Sequence, residues 1–148
     1  VFTGHSFPWQ MKLAVNGTPF PIDDRRGIPE MIFKGTLEHF SEDTLTRFRR
    51  RMCGSSGQTK EFLSHAPTRT AEELRDELAA LALGITAYGS SSFIWDRAII
   101  GNRDKIFPPR NQHEAWQGTE IMETEAEHYE TSLFSRLLEG KGEEWTRH

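Results

Sequence analysis

The stretch from Thr70 to Ile85 constrains the fold more than any other part of the chain. Thr70 and Glu73 have the S/T-x-x-E spacing of a capping box, in which hydroxyl and carboxylate each accept from the other's backbone N–H, so a helix starts there. Leu74, Leu78, Leu81 and Ile85 then share one face, and Ala79, Ala80, Ala82 and Leu83 make the segment apolar nearly all round. Such a helix needs cover on every side, which predicts a central buried helix with others packed about it.

The flanking sequence supports the same class. Ser41 is an N-cap, Glu42 and Asp43 suit the positive end of a helix dipole, and Leu45, Phe48 and Met52 form a stripe that ends at Gly54. Pro29 opens a shorter helix toward Phe40, and Lys60 to His65 forms a helical turn before Pro67. Phe93-Ile94-Trp95 with Ala98-Ile99-Ile100 reads as a buried helix closed by Gly101, followed by an exposed loop from Asn102 to Gln112. Met122, Ala126, Tyr129, Leu133 and Leu137 recur at helical spacing and predict a last helix, with Phe134 and Leu138 widening its stripe and Gly140 as its C-cap.

Only the amino-terminal part reads differently. Gln10 to Val15 followed by Asn16-Gly17 predicts a hairpin with a type I′ turn, whose second arm, Thr18 to Ile22, carries Pro19 and Pro21 and is confined to a sheet edge. The expected fold is therefore mainly α: a single domain over 1–148, with an extended arm or hairpin over 1–28 and a compact multi-helix body over 29–148. A chain of 148 residues suits one core.

Composition narrows the function classes. A net charge of −4 argues against generalised attraction to nucleic acid or anionic membrane. No apolar run approaches the roughly 20 residues of a membrane helix, and no signal-peptide pattern opens the sequence. Cys53 is the only cysteine, which excludes an internal disulfide and weakly favours an intracellular, reducing compartment. Val1 in place of Met marks the chain as a processed form, an excised domain or part of something longer. Asn16-Gly17-Thr18 formally matches a glycosylation acceptor, a tripeptide common by chance, and reads first as a turn.

Several residues carry chemistry. Arg47, Arg49, Arg50 and Arg51 concentrate positive charge on the second helix and suit an acidic partner or phosphate, or simply a solvated face with paired charges. Glu125 and His128 have the E-x-x-H spacing of helical metal sites, but no second such pair occurs, so no metal and no cofactor is expected. Cys53 beside Arg50 and Arg51 is a weakly activated thiol or a small buried hydrophobe. Gly54 to Lys60 lacks the G-x-x-x-x-G-K order of a phosphate loop.

A wider arrangement comprises Arg25 and Arg26, then Ser90, Ser91 and Ser92, then Glu125-Ala126-Glu127. It loosely resembles the Arg, Ser-Thr-Ser and Glu-x-Glu elements of ADP-ribosyltransferase toxins. That resemblance implies an arginine holding a dinucleotide and a final glutamate stabilising an oxocarbenium-like transition state. In that family the arginine precedes the aspartate on a strand, whereas Arg25 and Arg26 follow Asp24 here.

Stripes and caps outnumber convergent catalytic groups, so the leading functional expectation is a non-catalytic assembly or interaction subunit, coat-like or scaffold-like. It would associate with itself or a protein partner through the aromatic residues Phe2, Phe7, Trp9 and Phe20 of its amino-terminal arm. The alternatives are a small enzyme using Arg25, Arg26, Ser90, Ser91, Glu125 and Glu127, and a phosphate or nucleic-acid binder centred on Arg47 to Arg51.

Overall fold

The computed structural model describes residues 9–66, 68–88 and 93–139. It is an α/β fold, not a helical bundle. Among the described residues three short strands, β1 (Leu13–Val15), β2 (Arg97–Gly101) and β3 (Glu120–Thr124), form a parallel sheet in the order β1-β2-β3. Val15 pairs with Ile99, and Ile99 with Met122. Between β1 and β2 lie α1 (Glu30–Glu38), α2 (Glu42–Cys53), α3 (Ser56–Ser64) and α4 (Ala71–Tyr88); α5 (Pro109–Ala115) joins β2 to β3, and α6 (Thr131–Leu138) follows.

β2 explains the misplaced class. A parallel strand covered on both faces carries a continuous apolar run, so it lacks the alternation that marks a half-exposed strand and resembles a fragment of buried helix. Ala98 and Ile100 face one layer with Ala14 and Trp116, while Ile99 faces the other with Ala126 and Leu133. All five residues of β2 are buried. The sheet, not α4, is the centre: Leu81 and Leu83 of α4 are 57% and 73% exposed.

The expected last helix dissolves into three pieces. Met122 lies on β3, Ala126 in the loop after it, and Leu133 and Leu137 on α6, yet all four meet in one cluster against Ile99. The stripe picked out the buried Ala126 and Leu133 with the half-buried Met122 and Leu137, but Leu138 is 87% exposed, and its helical geometry was wrong, since a strand, a loop and a helix can deliver the same spacing to one face. The expected loop over 102–112 likewise contains the start of α5, opened by Pro108 and Pro109.

No hairpin forms at Asn16-Gly17. β1 pairs in parallel with β2 instead, and Ile22 makes an isolated bridge to Ile28. A type I′ turn needs two positive φ angles, and here only Asn16 has one, at 47°. With Pro19 and Pro21 missing two donors, the segment after it cannot zip back onto β1.

Local signals fared better where they are chemical. Ser41 and Thr44 form a reciprocal capping box at α2, and Gly54 ends that helix with φ 72°. Ser55 caps α3 by accepting from the Gln58 N–H. At α4, Glu73 accepts from the Thr70 N–H at 2.8 Å while the Thr70 hydroxyl accepts from the Glu73 N–H at 3.2 Å.

The Thr70 hydroxyl also donates to the Glu73 carboxylate at 3.2 Å, and this bond and that from the Thr70 N–H hold the carboxyl below its usual range, the N–H contributing most. A depressed folded-state value adds stability above the unfolded value and loses it as pH falls through the folded one. Glu73→Gln is therefore expected to lower the urea midpoint at neutral pH, with the gap to wild type closing at acid pH.

Gly101 closes β2 against its neighbours: a Cβ there would stand 2.5 Å from the Ala126 carbonyl oxygen and 2.9 Å from Asn16 Oδ1. Gly101→Ala is expected to cost about 2–3 kcal/mol by overpacking, read from urea unfolding.

Candidate active site

The carboxyl ends of parallel strands lie at one edge of a sheet, and in open α/β folds ligands bind in the crevice beyond it. Three segments meet there: Asn16 after β1, the Asn102–Phe107 turn after β2, and the Glu125–Glu130 loop after β3.

Asp104 anchors the middle segment. One carboxylate oxygen, Oδ1, accepts from the backbone N–H groups of Ile106 and Phe107 at 2.7 and 3.0 Å, an Asx turn that fixes the loop. The other, Oδ2, accepts from Gln112 Nε2 at 3.1 Å and from His128 Nδ1 at 3.0 Å. Three of the four partners are N–H donors of amides and the fourth is the imidazole nitrogen. The Asp104 side chain is fully buried and that of His128 is 23% exposed.

These contacts set the imidazole. In the tautomer with its proton on Nδ1, the ring donates to Asp104 and Nε2 is the basic nitrogen. The Phe107 ring stacks on the imidazole with centroids 5.9 Å apart and planes 18° from parallel. A buried carboxylate on Nδ1 of a part-exposed imidazole is the arrangement that the acid and base of a nucleophile–His–Asp triad also have. Among the described residues no hydroxyl or thiol bonds to Nε2.

The α2–α3 junction is seated on the same loop. The Tyr129 N–H donates to the Met52 carbonyl at 3.0 Å, and the Tyr129 ring contacts Phe62 and Phe134 at 5.1 and 5.8 Å. Glu127 packs against Gly54, where a Cβ would fall 2.2 Å from Glu127 Cδ. Its carboxylate lies 3.6 Å from Arg103 and 3.8 Å from Lys105.

The residues singled out from sequence have other employment. Arg25 pairs with Glu114 at 2.6 Å, while Arg26 pairs with Asp23 at 2.9 Å and covers the half-buried Phe20 ring at 3.7 Å. The Arg26 side-chain bond is the main reason that Asp23 titrates low. Glu125 and Glu127 sit in a loop rather than a helix, and both lie against Arg103. Neither Arg25 nor Arg26 bonds to either glutamate among the described residues. Ser90, Ser91, Phe2 and Phe7 lie outside the described residues, and Trp9 is 45% exposed.

His128 does belong to the site, but its partner is Asp104 and not Glu125. No group of three or more metal-type side chains gathers among the described residues. Arg47, Arg50 and Arg51 are exposed on α2 and Arg49 is half-buried; none is ion-paired among the described residues. Asp104 was passed over because its turn was read as loop. The available signal was an apolar, β-branched run closed by Gly101, with an acid three residues on and a histidine at the next such boundary.

The family model for the pimeloyl-ACP methyl esterase BioG matches residues 4–139. The chain belongs to the BioG family. It is 46% identical over 140 residues to the malonyl-[acyl-carrier protein] O-methyltransferase of Bacteroides fragilis, covering 93% of this chain and 29% of that protein. It is 43% identical over 124 residues to an uncharacterized protein of Haemophilus influenzae, covering 82% of this chain and 57% of that one. The crystal structure of selenomethionine BioG from Haemophilus influenzae superposes with a TM-score of 0.79 at 39% identity, over 86% of this chain and 60% of that one.

The chain thus spans between about a third and three fifths of the relatives it matches. BioG membership overturns the expected non-catalytic scaffold and the structural-protein reading, and with them the ADP-ribosyltransferase-like and nucleic-acid-binding alternatives. The sheet agrees with the BioG structure and not with a helical bundle.

Cys53 takes no part in this chemistry. It is fully buried and burial pushes its thiol up, so the reactive thiolate is scarce. Iodoacetamide at neutral pH is expected to leave Cys53 unmodified in the folded protein and to alkylate it in urea, as read by intact mass.

Proposed function

We propose that this region supplies the acid and the base of a carboxylic-ester hydrolase that cleaves the methyl ester of an acyl chain carried by an acyl-carrier protein. The observation that carries the reading is the Asp104–His128 pair at the carboxyl edge of the sheet. It agrees with the description of the matching family.

In α/β-hydrolases the triad runs nucleophile, acid, histidine along the chain, and Asp104 and His128 fall in the last two places. The nucleophile then comes from sequence before Asp104. His128 Nε2 takes the proton of that hydroxyl as its oxygen attacks the ester carbonyl. The tetrahedral adduct collapses, the bond to the methoxy oxygen breaks, and His128 returns the proton so that methanol leaves. Water, deprotonated by the same nitrogen, then attacks the acyl carbon, the bond to the nucleophile's oxygen breaks, and His128 returns the proton to that oxygen as the acid leaves. Asp104 holds the imidazole and stabilises its positive charge in both steps.

In the full-length protein, Asp104→Asn and His128→Ala are each expected to lower kcat on an acyl-carrier methyl ester by about 10³–10⁴-fold. Methanol release is the assay. Wild-type turnover by either variant would remove the reading.

The exposed arginines of α2 fit the same substrate. Their helix ends at Gly54 against the loop that carries His128, so an acidic carrier docked on Arg47, Arg50 and Arg51 would lie beside the site. Reversing charge with Arg50→Glu and Arg51→Glu together is expected to raise KM for the carrier-bound ester several-fold at low salt and less at high salt. Turnover of a small, uncharged methyl ester is expected to stay unchanged. Equal losses on both substrates would argue against docking at α2.

A further inference from the structure

Asn16 stands where the sequence promised only a turn, and the geometry makes it a hub. It follows β1 directly and holds φ 47°, a left-handed conformation that asparagine tolerates better than other residues bearing a Cβ. Its own N–H donates to the Ile99 carbonyl at 3.1 Å, extending the β1–β2 ladder by one bond. Its side chain then spans the sheet edge. Oδ1 accepts from the Gly101 N–H at 2.7 Å, at the end of the strand that precedes Asp104.

Nδ2 donates to the carbonyl oxygens of Glu127 and His128 at 2.9 and 3.1 Å. The residue is 4% exposed, so water scarcely competes for these bonds. One amide therefore grips the backbone of the acid's strand with its oxygen and the backbone of the base itself with its nitrogen. A geometric fit of this kind fixes the distance between the two loops.

We propose that Asn16 is a positioning residue for the Asp104–His128 pair, holding the His128 backbone so that Nδ1 meets Asp104 and Nε2 faces the site. This rests on the esterase reading above. The Asn16 side chain bonds to backbone groups, not to the His128 ring or the Asp104 carboxylate. It acts through His128, and no other side chain among the described residues bonds to both loop backbones at once. Asparagine suits the place because only an amide offers both an acceptor and a two-proton donor in one plane. Aspartate has the shape and lacks the donors.

The test uses two variants in the full-length protein. Asn16→Gly keeps the positive φ and removes the side chain; Asn16→Asp keeps the acceptor for Gly101 and loses both donors. Asn111→Ser is the stability control, because Asn111 ties the carbonyls of Asp24 and Gly27 and does not bond to the His128 loop. The readouts are kcat and KM for methyl ester hydrolysis, urea unfolding, and the proton NMR resonance of the His128 Nδ1–H, assigned by its loss in His128→Ala.

Both Asn16 variants are expected to lower kcat about 10–100-fold with KM changed less than about twofold, and to shift or broaden the Nδ1–H resonance. Asn111→Ser is expected to lose stability with the resonance and kcat retained. An unchanged resonance and kcat in folded Asn16→Gly and Asn16→Asp would overturn the positioning role. So would a loss of kcat in Asn111→Ser matching theirs, since activity would then track stability alone. If His128→Ala hydrolyses the ester as well as wild type, the esterase reading itself fails, and the resonance remains the separate test of Asn16.

Discussion

Everything at the working edge of this protein is referred to the buried carboxylate of Asp104. A carboxylate without water must find its donors in the protein, or the cost of burying its charge reaches several kcal/mol. Four donors meet it: two backbone N–H groups, the Gln112 amide and the His128 imidazole. The first two bend the chain after β2 into its turn. The third draws α5 under the sheet edge, where Gln112 also donates to the Phe107 carbonyl at 2.8 Å. In the proposed mechanism only the fourth belongs to the reacting pair, and the other three hold the carboxylate in place for it. A carboxylate satisfied so fully by fixed groups has little freedom to turn, so the imidazole inherits its orientation.

The rest of the fold supplies rigidity to that edge in unequal measure. β2 is buried along its whole length, whereas β1 is only three residues long and β3 is partly exposed. Polar ties compensate for short strands. Trp116, packed against Ala98 and Ile100, donates its indole N–H to the Gly17 carbonyl at 2.9 Å, and Asn111 binds the turn at Asp24 and Gly27. These bonds join the segment after β1 to α5. The four helices between β1 and β2 form a separate layer that meets the site through Met52, Gly54 and Phe62. Met31 and Leu83 leave apolar surface open on α1 and α4.

What the sequence disclosed follows from which forces are local. Caps are decided within four residues, so Ser41, Thr70 and Gly54 were legible and the starts of α2 and α4 came out as read. Strand identity in a parallel sheet is decided by partners about twenty to eighty residues away, as between Ile99 and its neighbours Val15 and Met122. Nothing within Ala98-Ile99-Ile100 itself separates a covered strand from a buried turn of helix. The helical stripe from Met122 to Leu137 failed for a related reason: periodicity reports which side chains are buried, and the path between them is set by Gly101, Ala126 and the sheet edge.

The site was less legible than the fold because its members are singletons. Asp104 and His128 are 24 residues apart and acquire meaning only when β2 and β3 lie side by side. The arginines, serines and glutamates attracted attention because they cluster in sequence, yet Arg25, Arg26 and Glu125 are spent on exposed pairs that contribute little, and Glu127 is packed against Gly54 beside Arg103 and Lys105. Clustering along a chain favours solvated faces, where charge is inexpensive. A catalytic acid is more often found alone, just past a buried strand, because a strand end is the one place where a rigid core and an open crevice adjoin. Asn16 obeys the same logic. Its left-handed backbone and its amide are both consequences of ending β1 at the rim, where a hairpin would have turned the chain away from the other two strand ends.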